Sequence, residues 1–154
     1  MVGKLKDEIK QSSGFYSVEQ EVTLNVLRTA EYMENALIDT LKPASLTLTQ
    51  YNALRILRGA GTDGLSCGEI GERMITKESD ITRLLDRLDA RGLITRERPA
   101  ENRRTVIATI TDDGRELLAG LDRPVAECHE RLSGHLGEAK LSSLVGLLEE
   151  VRSA

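Results

Sequence analysis

A chain of 154 residues with 40% apolar and 30% charged side chains has the composition of one globular domain with a sizeable core. Its net charge of −4 argues against indiscriminate nucleic-acid binding, but the charge is uneven. Residues 46–111 hold 11 Arg/Lys against 9 Asp/Glu, a local +2, and the remainder holds 10 against 16, a local −6.

Met1 to Gly14 is polar, and Ser12-Ser13-Gly14 would interrupt any helix running on from Lys4 to Lys10. From Ser17 to about Leu41 the positions Val22, Val26, Ala30, Met33, Leu37 and Leu41 step by three or four, which predicts a long helix. Ser17 and Gln20 have the spacing of a capping box, and Pro43 sets an end nearby. Thr47 and Gln50 repeat the box, with Tyr51, Leu54 and Leu57 following at helical spacing as far as Gly59. Gly61 to Gly64 reads as a turn. Ser66 and Glu69 form a third box and open a short helix through Met74, with Ile70 and Met74 inward.

Lys77 to Arg91 predicts a second short helix. Ile81, Leu84, Leu85 and Leu88 lie on one face, and Ser79, Thr82, Arg83, Asp86 and Arg87 lie away from it. Gly92 ends it. Leu93 to Arg98 alternates as a strand, with Ile94 and Arg96 on one side, and the polar turn 99–104 leads into the β-branched run Thr105 to Ile110. Thr111 then caps a helix with Asp112 and Asp113 in its first turn. Its stripe is Leu117, Leu118, Leu121, Val125, Cys128, Leu132 and Leu136, and Pro124 inside it predicts a kink or break. Leu141, Leu144, Val145, Leu148 and Val151 mark a last helix.

The expected fold is mainly α with a small β-hairpin wing: a winged helix-turn-helix flanked by N- and C-terminal dimerisation helices. The chain reads as a single domain, 1–154. Within it 17–42 and 115–154 are the dimerisation helices, and 46–114 is the DNA-binding lobe. The terminal stripes exceed what a lobe of that size covers, and a second copy of the chain is the simplest partner for them.

The cysteines, Cys67 and Cys128, match no metal spacing and read as reduced thiols. His129 and His135 are not at i, i+4, so neither metal nor other cofactor is expected. No nucleophile motif, G-x-x-x-x-G-K-S/T, G-x-G-x-x-G or H-E-x-x-H occurs, so no enzyme is expected. Lys4, Lys6, Asp7 and Glu8 break any apolar leader, and no apolar run nears the roughly 20 residues of a membrane span. The expected location is cytoplasmic, with no membrane partner.

Leu48-Thr49-Gln50-Tyr51, Glu69-Ile70-Gly71, Ile81 to Leu88, Gly92 to Arg96, Asn102-Arg103-Arg104 and Ile110 to Gly114 carry a resemblance to the multiple-antibiotic-resistance regulator (MarR) family over about residues 48–114. The resemblance implies a homodimer with interleaved terminal helices and two winged lobes on a palindromic operator in double-stranded DNA. It also implies a small effector, aromatic or phenolic in many members, that releases the DNA, with a binding site that the sequence leaves unknown. One position departs. The family usually has aspartate where this chain has Asn102, which keeps an acceptor but loses the charge that orients a wing arginine.

Arg83 is the first candidate for base contact, since a guanidinium can fork onto guanine O6 and N7. Ser79 and Thr82 are smaller readers, and Arg87 and Lys77 are phosphate candidates. Arg104 matches the family's minor-groove arginine, Arg103 is a phosphate candidate, and Ser66 starts a helix whose free amides can hold a phosphate. For each the bland alternative is a solvated surface or a purely structural cap. Asp86, which phosphate would repel, is expected to orient an arginine. Two rival functions use the same fold: a winged-helix module that binds protein, and a thiol-based redox-sensing regulator using Cys67.

Overall fold

A computed structural model describes residues 4–101 and 104–153. The chain divides into two compact units, Met1–Ala36 and Leu37–Ala154.

The first unit holds the short helix α1 (Leu5–Glu8) and most of α2 (Val18–Leu41). Ser17 caps α2 by accepting the Gln20 N–H at 3.2 Å. The Gln20 side chain takes the Tyr16 N–H at 2.9 Å rather than that of Ser17, so the reciprocal bond closes one residue further out than the sequence pattern suggests. Val22, Val26, Leu27 and Tyr32 are exposed along the helix.

The second unit starts with the last turn of α2, where Leu41 is fully buried. Pro43 lies in a 3₁₀ turn, Lys42–Ala44, and Ser45 then takes the left-handed conformation at φ 53°. Helix α3 (Leu48–Ala60) carries the complete Thr47/Gln50 capping box and buries Tyr51, Leu54 and Leu57 as their spacing requires. Strand β1 (Leu65–Ser66) and helix α4 (Cys67–Arg73) follow, the latter opened by the Ser66/Glu69 box. Next come α5 (Ile81–Ala90), β2 (Ile94–Glu97) and β3 (Ile107–Ile110). The two longer strands pair antiparallel, Ile94 with Ile110 and Glu97 with Ile107.

The sheet has three strands, in the order β1-β3-β2, not the two of a bare hairpin. Leu65 pairs with Ala108 and Ser66 with Ile107. A two-residue strand has no periodicity to detect, and its partner lies more than 40 positions away, so residues 61–66 read only as a turn and a cap.

Helix α6 (Asp112–Ser133) is capped by the Thr111 side chain. It is one helix through Pro124, so of the expected kink or break there is no break. Pro124 and Gly120, whose carbonyl loses its usual donor there, are both exposed, so water can satisfy the lost bond. A 3₁₀ turn, Gly134–Leu136, leads into α7 (Glu138–Arg152), which buries none of its side chains.

The core of this unit is where α3, α4, α5, β2 and α6 converge. Leu54, Leu57, Ile70, Leu85, Leu88, Ile94 and Leu118 are fully buried there, and each contributes roughly 1.5–3 kcal/mol. Met74, at the end of α4, is partly buried against the same cluster. Among the described residues no helix is long and apolar enough to cross a membrane.

Candidate nucleic-acid interface

Helix α5 has one committed face and one open face. Leu84, Leu85 and Leu88 are buried, and Ile81 packs at the edge of the same cluster. Thr82, Arg83 and Arg87 are exposed on the other side. Among the described residues neither the Arg83 nor the Arg87 guanidinium has a carboxylate partner. Two arginines at i, i+4 with their charge uncompensated are a surface suited to anions.

The helix starts at Ile81, not at Lys77. Asp80 is the cap: its backbone is non-helical, and its carboxylate accepts the Arg83 N–H at 2.8 Å. A short carboxylate at this position satisfies one of the four free amides of the first turn, which stops the helix from extending backwards. Lys77 and Ser79 therefore belong to the exposed segment between α4 and α5. Ser79 lies just ahead of the helix start, and Lys77 lies further back.

Four attachments fix α5 besides its buried face. Ahead of it, the buried Asn52 of α3 accepts the Ile75 N–H at 3.0 Å and so holds the turn after α4. At its start is the Asp80 cap. At its end, the Arg91 guanidinium donates to the carbonyls of Ser45 at 2.7 Å and Ala44 at 2.9 Å, which ties α5 to the connection between α2 and α3. On its flank, Arg96 of β2 reaches Asp86 at 2.7 Å and Asp89 at 3.1 Å. Burial by itself would lower the Arg96 pKa, but the hydrogen bonds and charges of Asp86 and Asp89 outweigh it and raise it. Asp86, expected to orient an arginine because phosphate would repel it, pairs with one in the wing strand.

Ser66 is engaged in its cap. Its hydroxyl donates to Glu69 Oε2 at 2.7 Å and accepts the Glu69 N–H at 3.3 Å, and its own N–H donates to the same carboxylate oxygen at 2.8 Å. These bonds hold the Glu69 carboxyl below its ordinary pKa, the backbone N–H of Ser66 having the largest effect and the hydroxyl the next. Arg104 is exposed in the connection between β2 and β3. Arg103 and Asn102 lie outside the described residues.

Arg96, Arg91 and Asn52 were not singled out by spacing. For Arg96 a signal existed: it shares a strand face with Ile94, and an arginine on a core-facing side needs carboxylates, which Asp86 and Asp89 offer at i, i+3. Cys67 is half-buried at the start of α4, and Cys128 is buried in α6 with the Arg131 guanidinium 3.5 Å from its Sγ. Among the described residues no cluster of three His, Cys, Asp or Glu side chains could hold a metal.

Two short helices at a tight turn, the second bearing exposed arginines and backed by an antiparallel wing, define a winged helix-turn-helix. Residues 46–106 match the MarR family model. A crystal structure of a MarR transcription factor from Planctomyces limnophilus is 42% identical, with a TM-score of 0.69, covering 88% of this chain and 98% of that one. The HTH-type transcriptional regulator FarR of Neisseria gonorrhoeae is 24% identical over 135 residues, 88% of this chain and 91% of that one. BpsR of Bordetella bronchiseptica, whose DNA binding is regulated by 6-hydroxynicotinic acid, has the same fold, with a TM-score of 0.80 at 24% identity over 92% of this chain and 99% of that one. The chain belongs to the MarR family of transcriptional regulators, which are not enzymes.

Proposed function

We propose that this chain is a homodimeric, sequence-specific repressor that binds a palindromic operator in double-stranded DNA and is released by a small aromatic molecule. It acts in the cytoplasm. The observation that carries the reading is the open face of α5, where Thr82, Arg83 and Arg87 stand opposite three buried leucines. A helix with its side chains is about 10–12 Å across and so enters a major groove about 12 Å wide, and the 10 residues of α5 extend about 15 Å.

In this reading Arg83, with Thr82 and Ser79, reads base edges near the helix start. Arg87 and Lys77 meet phosphates. Arg104 enters the adjacent minor groove, and Arg103 meets phosphate beside it. Ser66 contributes through the first amides of α4, since its hydroxyl is taken by Glu69. The exposed apolar side chains of α2 (Val22, Val26, Leu27), and separately those of α7 (Leu144, Val145, Leu147, Val151), each offer surface to a second copy. Regions 17–42 and 115–154 are then the dimerisation helices, and 46–114 is the DNA-binding lobe. Release by a small molecule follows the behaviour of BpsR.

The test is fluorescence anisotropy with a labelled duplex from the upstream intergenic region, against random-duplex competitor and across a salt series. Binding at two chains per site that resists competitor and falls steeply with salt is expected. Arg83→Ala is expected to weaken it by about 5- to 150-fold, the worth of one forked guanine contact at roughly 1–3 kcal/mol. Equal affinity for random duplex, or no loss in Arg83→Ala, refutes the assignment.

A further inference from the structure

Asp86 and Asp89 sit on a helix that is proposed to face phosphates, where two carboxylates are a liability. Both converge on one guanidinium. Arg96 Nη1 lies 2.7 Å from Asp86 Oδ1, and Arg96 Nε and Nη2 each lie 3.1 Å from Asp89 Oδ2. The three contacts use the planar fork of the arginine on two sides, which a lysine ammonium cannot reproduce. The Arg96 side chain is only 25% exposed, so the pair is screened less than an ordinary surface ion pair.

The location matters as much as the charge. Arg96 lies in β2, paired with Ala108 of β3 and two residues from Ile94, which is buried. Asp86 and Asp89 belong to α5, one immediately before Arg87 and the other two residues after it. At the junction of α5 and the wing, the N–H groups of Gly92 and Leu93 donate to the Asp89 and Leu88 carbonyls at 2.8 and 3.1 Å. They fix where the wing begins but leave its angle to side chains further along the strand.

We infer that Arg96 is a positioning residue for DNA binding: its two-carboxylate clamp fixes the wing strands against the recognition helix, so that both present one rigid surface. The inference rests on the DNA-binding reading above, but its first test needs no DNA. In the full-length protein, Arg96→Met is expected to speed amide hydrogen exchange at least tenfold in 94–97 and 107–110, with α3 and α6 unchanged. Wing amides as slow as in the unaltered protein overturn the inference, and so does equal acceleration in α3 and α6, which would mark general destabilisation.

The second arm uses the labelled intergenic duplex. If the unaltered protein does not bind it, the functional reading fails, and the exchange arm still decides the clamp. Where it binds, Arg96→Met is expected to weaken binding about tenfold or more, with Arg96→Lys intermediate. Adding Asp86→Asn and Asp89→Asn to Arg96→Met removes the two unmasked charges and is expected to leave most of the loss in place. Full recovery in that triple variant overturns positioning and assigns Arg96 to charge neutralisation alone.

Discussion

Gly114 offers a sharp test of how α6 is seated under the wing. It is the third residue of α6, and its N–H donates to the capping Thr111 hydroxyl at 3.1 Å. A Cβ at this position would sit 2.3 Å from the Leu93 carbonyl oxygen, 2.8 Å from Ile110 Cγ1 and 3.3 Å from the Leu93 carbonyl carbon. The nearest obstacle is backbone and cannot rotate away. The same carbonyl accepts the Thr111 N–H at 3.1 Å, and the Thr111 hydroxyl donates to the Gly92 carbonyl at 2.7 Å. Retreat of the helix start would therefore strain both bonds. In Gly114→Ala, overpacking costs about 1–3 kcal/mol and a weakened hydrogen bond about another 1 kcal/mol. Alanine returns roughly 1 kcal/mol of helix propensity. The net expectation is a loss of about 1–3 kcal/mol, about 2–12 °C in melting temperature for a domain of this size. Gly120 in the same helix is the control, because a Cβ there meets nothing within 4 Å. Gly120→Ala keeps the propensity gain without the clash and should be stabilised by about 0.5–1 kcal/mol. Urea unfolding of the three proteins at one fixed protomer concentration decides it. A Gly114→Ala protein as stable as Gly120→Ala would refute the reasoning.

The Ser66/Glu69 box predicts a pH dependence. Because its native pKa is depressed, Glu69 adds stability that is full above the ordinary glutamate range and is lost as pH falls through its lower native value. Glu69→Gln should flatten that part of the acid limb in urea titrations, and an unchanged limb would show that the carboxylate is not bound in solution. The exposed stripe of α7 predicts that Val145→Asp, at a position 55% exposed in the single chain, shifts the protein from dimer towards monomer in analytical ultracentrifugation without loss of helix content. A dimer of unaltered affinity would place the interface elsewhere.

Much of the lobe was legible because it is written in local chemistry. A capping box links residues three apart, and an apolar stripe repeats within two turns, so Thr47/Gln50, Ser66/Glu69, Thr111 and the leucines of α5 could be read in place. The start of α5 was misplaced at Lys77 although a signal was present. Asp80, three residues ahead of Arg83, is a good cap, but it competes with a polar run in which Lys77 and Ser79 also tolerate helix. At Pro124, where a kink or break is expected, the helix does not break: a proline on a solvated face of a long helix costs one hydrogen bond, and the packed turns on either side outweigh it.

Local sequence specifies the longer helices, the two longer strands, their order, the buried face of α5 and the candidates Thr82, Arg83 and Arg87 opposite it, because each depends on bonds or periodicities spanning four residues or fewer. Beyond the local Asp80 cap, what holds that helix still is decided by tertiary structure. β1 pairs across more than 40 positions, Arg91 reaches carbonyls 46 and 47 residues back, Asn52 holds an amide 23 residues ahead, and Arg96 meets two carboxylates by crossing from strand to helix. Such contacts depend on the angle at which one packed element meets another. Local spacing does not encode that angle; the shared core of α3, α4, α5, β2 and α6 sets it.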